Sequence, residues 1–315
     1  SVFFWILRNA YNYTGTDIIT DAEKYGAVRD SIERHGFRYD SQEDFARNVL
    51  GEIGCVKSEM CDLKSYESTT MKTDDFRVVY DDYEKFLRYR GKIDFDDMLV
   101  FTYELLSQRQ DILDMWRNRF QYILIDEFQD INTIQYDTVK LLAKERNNIF
   151  AVGDDDQSIY GFRGAAPAIM KRFPKDFPGT KIEYLNMNYR CSYDVVECSK
   201  RIIKNNTDRY DKNLQSAFAP GESDRVHIVK VKDGTEQNRK IVDKIRELNS
   251  AGIPYSDIAV IFRTNTEPRA LSSKLMENGI PFSMKDSIPN IFTHFLAENI
   301  FDYIKLARGC RERRV

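Results

Sequence analysis

The chain has 315 residues, of which 42% are apolar and 31% charged, and this composition fits a globular protein long enough to bury two separate cores. A net charge of -3, from 47 Lys and Arg against 50 Asp and Glu, gives no overall basic footprint but leaves enough cations for local positive grooves. Charge therefore neither demands nor forbids nucleic acid. No window approaches the run of uncharged apolar residues that a membrane span needs, and the opening Ser1-Val2-Phe3-Phe4-Trp5-Ile6-Leu7 lacks the basic flank of a signal peptide, so a cytoplasmic location is expected. Five cysteines without a CxxC pair read as reduced thiols, and three unpaired histidines argue against a transition-metal site.

Residues 1–92 carry helical signals, with apolar positions in 3–7, 45–50 and 83–87 recurring at spacings of three and four. From Asp94 the character changes. The pattern predicts a helix from Asp96 to about Leu106, a strand over 121–125, a helix over 133–144, a strand over 149–152, a helix over 166–173 and a strand over 182–185. Such alternation is the signature of parallel βαβ units. A helix follows over 191–206, and Ala219-Pro220-Gly221-Glu222 reads as a turn at a domain boundary. A second alternation predicts strands over 226–231, 258–262 and 282–284, with helices over 236–249 and 267–277. Gly252-Ile253-Pro254 and Gly279-Ile280-Pro281 end those two helices, each Gly suited to a left-handed cap and each Pro barring continuation. A last helix over 292–307 runs into the charged Arg311-Glu312-Arg313-Arg314.

The most informative stretch is Tyr122-Ile123-Leu124-Ile125-Asp126-Glu127-Phe128-Gln129-Asp130. An apolar run that ends in Asp-Glu is what a parallel strand looks like when its carboxyl end delivers two acidic groups to a crevice. Adjacent carboxylates repel unless a cation or a proton relieves them, and Mg²⁺ held by Asp126 beside a water-activating Glu127 would do so. An apolar strand that ends at a solvated acidic turn gives the same string. The next strand ends likewise, in Gly153-Asp154-Asp155-Asp156-Gln157. Gln157 is suited to sensing a γ-phosphate, and Tyr160, Phe162 and Arg163 follow it closely. Aromatic faces beside a cation grip single strands without reading sequence, although Tyr160 and Phe162 also suit a core. The three aspartates lack the spacing of a calcium loop. In Asn188-Tyr189-Arg190, Tyr189 offers a stacking face and Arg190 a guanidinium for a transferring phosphate.

Asp126-Glu127-Phe128-Gln129-Asp130, the run from Val152 to Ala165 that contains Gly153-Asp154-Asp155-Asp156-Gln157-Ser158-Ile159-Tyr160-Gly161-Phe162-Arg163-Gly164, and Leu185-Asn186-Met187-Asn188-Tyr189-Arg190 resemble, in order and spacing, motifs II, III and IV of the UvrD/Rep/PcrA helicases of superfamily 1. Asp94-Phe95-Asp96-Asp97-Met98-Leu99 resembles the return of that family's chain into its domain 1A, and residues 258–265 resemble the start of domain 2A. The resemblance implies an α/β fold: a partial RecA-like parallel-sheet P-loop NTPase unit with a helical insertion and part of a second RecA-like domain. It divides the chain into a helical 1B-like region (1–92), a partial 1A domain (93–218) and a partial 2A domain (219–315).

The same resemblance implies ATP and Mg²⁺ as the ligands. Asp126 would hold the metal and Glu127 activate water. Gln157 and Arg190 would meet the γ-phosphate, and Tyr189 would stack on adenine. Tyr160, Phe162, Arg163, Arg263 and Asn265 would contact DNA. Phe162 stands where the family usually has Trp, a smaller ring in the same role. The implied activity is 3′ to 5′ translocation on single-stranded DNA and duplex unwinding at junctions, in company with repair or replication proteins. No G-x-x-x-x-G-K-S/T occurs. The expectation is therefore a fragment of a larger motor that is inactive by itself, with a helicase-nuclease subunit or an inactive single-strand-binding or protein-binding module as alternatives.

Overall fold

The computed structural model describes residues 1–37, 42–143, 146–158, 168–207, 209–221, 225–264, 267–284 and 295–308. The chain divides into two compact units, Ser1–Arg225 and Val226–Val315.

The first unit opens with α1 (Val2–Tyr11), α2 (Asp21–Arg34), α3 (Gln42–Ser58) and α4 (Thr73–Arg90), so the helical signal over 1–92 is realised. The start of α2 is a reciprocal capping box: Thr20 N–H donates to Glu23 Oε2 at 2.9 Å, and Glu23 N–H donates to Thr20 Oγ1 at 3.3 Å. Apolar faces at helical spacing, including Val28, Ile32, Val49, Ile53, Phe76, Val79, Tyr83 and Leu87, meet in one core. Full burial of a side chain of this size contributes roughly 1.5–3 kcal/mol. Gly91, at φ 62°, ends α4 in the left-handed region.

Two further helices, α5 (Phe95–Gln108) and α6 (Gln110–Arg119), join α1 around a second core containing Ile6, Leu7, Leu106 and Trp116. Asp94 caps α5 by accepting Asp97 N–H at 2.7 Å, and Asp97 Oδ2 accepts Asp94 N–H at 3.0 Å. Both carboxylates are buried, and Lys57 of α3 neutralises them at 2.9 and 2.7 Å. A buried capping box thus ties the helical region to α5.

The parallel pair follows. Strand β1 (Ile123–Ile125) and strand β2 (Ile149–Ala151) run in register Ile123 to Ile149, Leu124 to Phe150 and Ile125 to Ala151, with α7 (Thr133–Ala143) as the crossover. Ile123, Ile125, Ile149 and Ala151 face a core of Phe128, Tyr136, Ile169 and Phe173, the last two on α8 (Ala168–Asp176). The opposite face, with Leu124 at 74% and Phe150 at 64% exposure, is bare. A period of two put alternate residues on opposite sides, and only one side is covered.

The third strand departs from expectation. Residues 182–185 form no ladder, and β3 is instead Met187–Asn188. It pairs in parallel with β4 (Gln215–Ser216), across α9 (Tyr193–Ile203), in a sheet separate from β1 and β2. Apolar composition at 182–185 signals a need for cover, but a strand forms only where a partner presents its backbone groups.

The second unit holds α10 (Gly234–Ser250), α11 (Pro268–Glu277) and α12 (Phe295–Ala307), with Val242, Ile245, Leu271, Leu275 and Ile280 in its core. Gly252 (φ 97°) and Gly279 (φ 65°) cap α10 and α11 as the sequence implies, and Ile253 and Ile280 donate back to Leu248 and Leu275 at 3.1 and 3.0 Å. The expected strands over 226–231, 258–262 and 282–284 do not form ladders. Ile228 and Ile261 are 91% and 92% exposed, which shows the reason: the described residues place no neighbouring strand beside them. The fold is a mixed helix and strand architecture with small parallel sheets.

Candidate active site

The carboxyl end of β1 delivers Asp126 and Glu127 together. Ile125 C=O accepts Val152 N–H at 2.8 Å, and Val152 C=O accepts Phe128 N–H at 2.9 Å, so the ladder extends past both strands and fixes the two turns side by side. Asp126 Oδ1 accepts the Glu127 N–H at 2.9 Å, and Glu127 sits in the left-handed region at φ 49°, an uncommon conformation for a residue with a side chain. Both carboxylates are exposed.

Gln129 joins the two turns, a role that sequence reasoning missed. Its side chain, 2% exposed, donates from Nε2 to Glu127 Oε2 at 2.7 Å and accepts Asp154 N–H on Oε1 at 2.9 Å. Gly153 makes room for it, because a Cβ there would lie 2.8 Å from Gln129 Oε1 and 3.1 Å from two backbone nitrogens. A glycine directly after a strand was the available signal of close approach. Gln157 Nε2 then donates to Asp154 Oδ2 at 2.8 Å. A continuous path of hydrogen bonds thus runs from Asp126 and Glu127 through Gln129 and Asp154 to Gln157.

The three aspartates offer carboxylate oxygens within 4.8 Å of one another. Their cation comes from the chain itself. Lys212 Nζ contacts Asp154, Asp155 and Asp156, the last at 3.1 Å, and Arg209 forks onto Asp156 at 2.7 and 2.6 Å. The hydrogen bonds from Arg209 lower the Asp156 pKa from its ordinary value, and those from Lys212 and Gln157 outweigh burial to do the same for Asp154. Asp126 is the better candidate for Mg²⁺, being an exposed carboxylate whose Oδ2 has no hydrogen-bond partner among the described residues.

Tyr189 and Arg190 follow β3. Asn188 Oδ1 accepts the N–H groups of Arg190 and Cys191 at 2.9 and 2.7 Å, an Asx turn that bends the chain off the strand. Tyr189 is 76% exposed, and the Arg190 guanidinium makes no hydrogen bond or ion pair among the described residues. Arg190 is therefore not linked to Asp126, Glu127 or Gln157 by direct contact. Tyr160, Phe162, Arg163 and Asn265 lie outside the described residues. Arg263 is exposed in the second unit, after the segment 258–262.

Two carboxylates and a glutamine thus stand at adjoining parallel strand ends, joined by hydrogen bonds through Gln129 and Asp154. Residues 5–178 match the model of the UvrD/REP helicase N-terminal domain, and residues 184–312 match that of the UvrD-like helicase C-terminal domain. The chain belongs to the UvrD/REP helicase family. Among its relatives, YjcD of Bacillus subtilis (strain 168) is 37% identical over 315 residues, covering 96% of this chain and 40% of YjcD. The ATP-dependent DNA helicase PcrA of Staphylococcus epidermidis (strain RP62A) is 32% identical over 272 residues, covering 85% of this chain and 36% of PcrA. PcrA of Staphylococcus aureus (strain Mu50) is 32% identical over 270 residues with the same coverage, 85% and 36%. The chain thus spans about two fifths of the length of the curated relatives it matches. Among the described residues, no helix is long and apolar enough to cross a membrane.

Proposed function

We propose that this chain carries the hydrolytic carboxylates and the phosphate sensor of an ATP-dependent DNA helicase that moves 3′ to 5′ on single-stranded DNA and opens duplexes at junctions. The observation that carries the reading is the hydrogen-bonded path from Glu127 through Gln129 and Asp154 to Gln157. A carboxylate that orients and deprotonates water needs a fixed direction, and the buried Gln129 amide supplies one for Glu127. The same path makes Gln157 a reporter of what happens at Glu127.

Asp126 would hold Mg²⁺, which when bound would offset phosphate charge. Tyr189 stacks on adenine, and Arg190, with its guanidinium free of ion pairs among the described residues, meets the γ-phosphate. Tyr160, Phe162, Arg163, Arg263 and Asn265 contact the DNA strand. The correspondences 1–92 to a 1B-like region, 93–218 to a RecA-like 1A domain and 219–315 to part of 2A follow the same reading. They are supported by the parallel β1–β2 pair and by the two family matches in series. Repair and replication proteins are the natural partners of such a motor.

The sequence contains no phosphate loop of the form G-x-x-x-x-G-K-S/T, so hydrolysis requires a polypeptide that supplies one. The purified 315-residue chain is expected to show no DNA-stimulated ATP hydrolysis. In a polypeptide that joins this chain to a segment supplying such a loop, single-stranded DNA is expected to stimulate turnover. There, Glu127→Gln should lower kcat by about 10²-fold or more while nucleotide binding persists, the scale expected for loss of a general base. Unchanged turnover in Glu127→Gln would remove Glu127 from the mechanism and the reading with it.

A further inference from the structure

The turn that bears Gln157 is held from outside by residues 209–212, far along the chain. Lys212 touches all three carboxylates, Arg209 forks Asp156, and Tyr210 N–H donates to Asp155 Oδ2 at 2.7 Å. Tyr210 also anchors the strap to α8, donating from its hydroxyl to Met170 C=O at 3.0 Å. Three carboxylates this close repel one another unless a cation lies among them. Lys212 is a fixed cation, its side chain 18% exposed, and the aspartates raise its pKa above the ordinary value despite burial.

The strap continues directly into β4. Gln215 N–H donates to Asn186 C=O at 2.7 Å and Ala217 N–H to Asn188 C=O at 2.9 Å, on the strand that ends at Tyr189 and Arg190. From Lys212 to Gln215 an extended chain reaches only about 10 Å. Residues 209–216 therefore connect the Gln157 turn to the Tyr189-Arg190 turn, between which the described residues show no hydrogen bond or ion pair.

We infer that Lys212, assisted by Arg209, is a positioning residue: it holds the aspartate turn that presents Gln157, in place of a metal ion, and couples that turn to the strand bearing Tyr189 and Arg190. The functional meaning rests on Gln157 as the phosphate sensor, whereas the clasp itself is testable without nucleotide.

The test compares the 315-residue chain with its Lys212→Met and Lys212→Arg variants by hydrogen exchange and by Mn²⁺ titration followed by electron paramagnetic resonance. Lys212→Met should raise amide exchange over residues 152–158 by about tenfold or more, leave α2 to α4 unchanged, and gain one saturable Mn²⁺ site beyond any that the parent chain has. Lys212→Arg should restore protection and remove the added Mn²⁺ binding. Arg209→Gln, which keeps the ammonium, should show a smaller rise in the same segment and serves if Lys212→Met does not fold. Unchanged exchange over 152–158 in both Lys212→Met and Arg209→Gln, or equal Mn²⁺ binding by parent and Lys212→Met, would overturn the inference. A chain that never hydrolyses ATP would leave these results standing, and loss of the clasp would leave the Glu127 experiment intact.

Discussion

Gln129 holds Glu127 by a 2.7 Å hydrogen bond from a buried amide whose other end accepts the Asp154 N–H. One side chain therefore sets both the direction of a carboxylate after β1 and the backbone of the turn after β2. The left-handed conformation of Glu127 persists because this contact and the Asp126 hydrogen bond fix it from both sides.

Gln129→Leu fills the same space but strands the Asp154 N–H beneath an apolar group. The expected loss is about 1–3 kcal/mol, the cost of a buried donor left without a partner. Urea unfolding followed by far-ultraviolet circular dichroism measures it. An unchanged midpoint would mean that water replaces the amide and that Gln129 has no structural hold on the turn.

Lys57 is the cation of a second buried cluster, in contact with Glu84 at 2.6 Å, Asp97 at 2.7 Å and Asp94 at 2.9 Å. Burial opposes its charge, yet the three carboxylates raise its pKa above the ordinary lysine value. Lys57→Met leaves acidic groups buried without a partner and should cost about 3–5 kcal/mol. Fluorescence reports the loss, because the chain's two tryptophans, Trp5 and Trp116, lie edge to face at 4.7 Å in the first unit. Adding Asp97→Asn to Lys57→Met should recover part of the stability, and no recovery would show that packing, not charge, dominates there.

Asp96, beside that cluster, has its pKa pushed up to about 6, first by burial and then by the charge of Asp94. Its carboxyl approaches α3 so closely that a Cβ at Gly54 would lie 2.9 Å from Asp96 Oδ2. Between pH 4 and 6 the folded chain keeps a proton on Asp96 that the unfolded chain releases, so this group makes stability fall as pH rises through that window. Asp96→Asn should remove its share of the slope and leave the variant more stable above pH 6 by about 3 kcal/mol. Asp97, raised by burial and by Asp94, titrates alongside it, so the difference between parent and variant isolates Asp96. Urea midpoints from pH 4 to 8 provide the curve, and parallel curves for the two proteins would remove Asp96 as a source of pH dependence.

Much of the local structure was legible. Gly252 and Gly279 ended their helices as read, because a left-handed cap followed by proline is a property of a few consecutive residues. The Asp-Glu pair fell at the end of a parallel strand for a similar reason, since a switch from apolar to acidic residues marks where a strand leaves its core. The expected strands at 182–185, 226–231, 258–262 and 282–284 did not form ladders, because alternating apolar residues state a preference that only a neighbouring backbone can satisfy.

The sequence by itself thus determined the helix ends, the apolar faces and the two carboxylates at a strand terminus, since each depends on residues within a turn or two of one another. Tertiary structure alone decided that Gln129 bridges Glu127 to Asp154 and that Arg209 and Lys212 meet aspartates 53 and 58 positions earlier in the chain. Such partners are chosen by how helices and strands pack, and at that separation a lysine facing solvent and a lysine closing a half-buried clasp are written with the same letter.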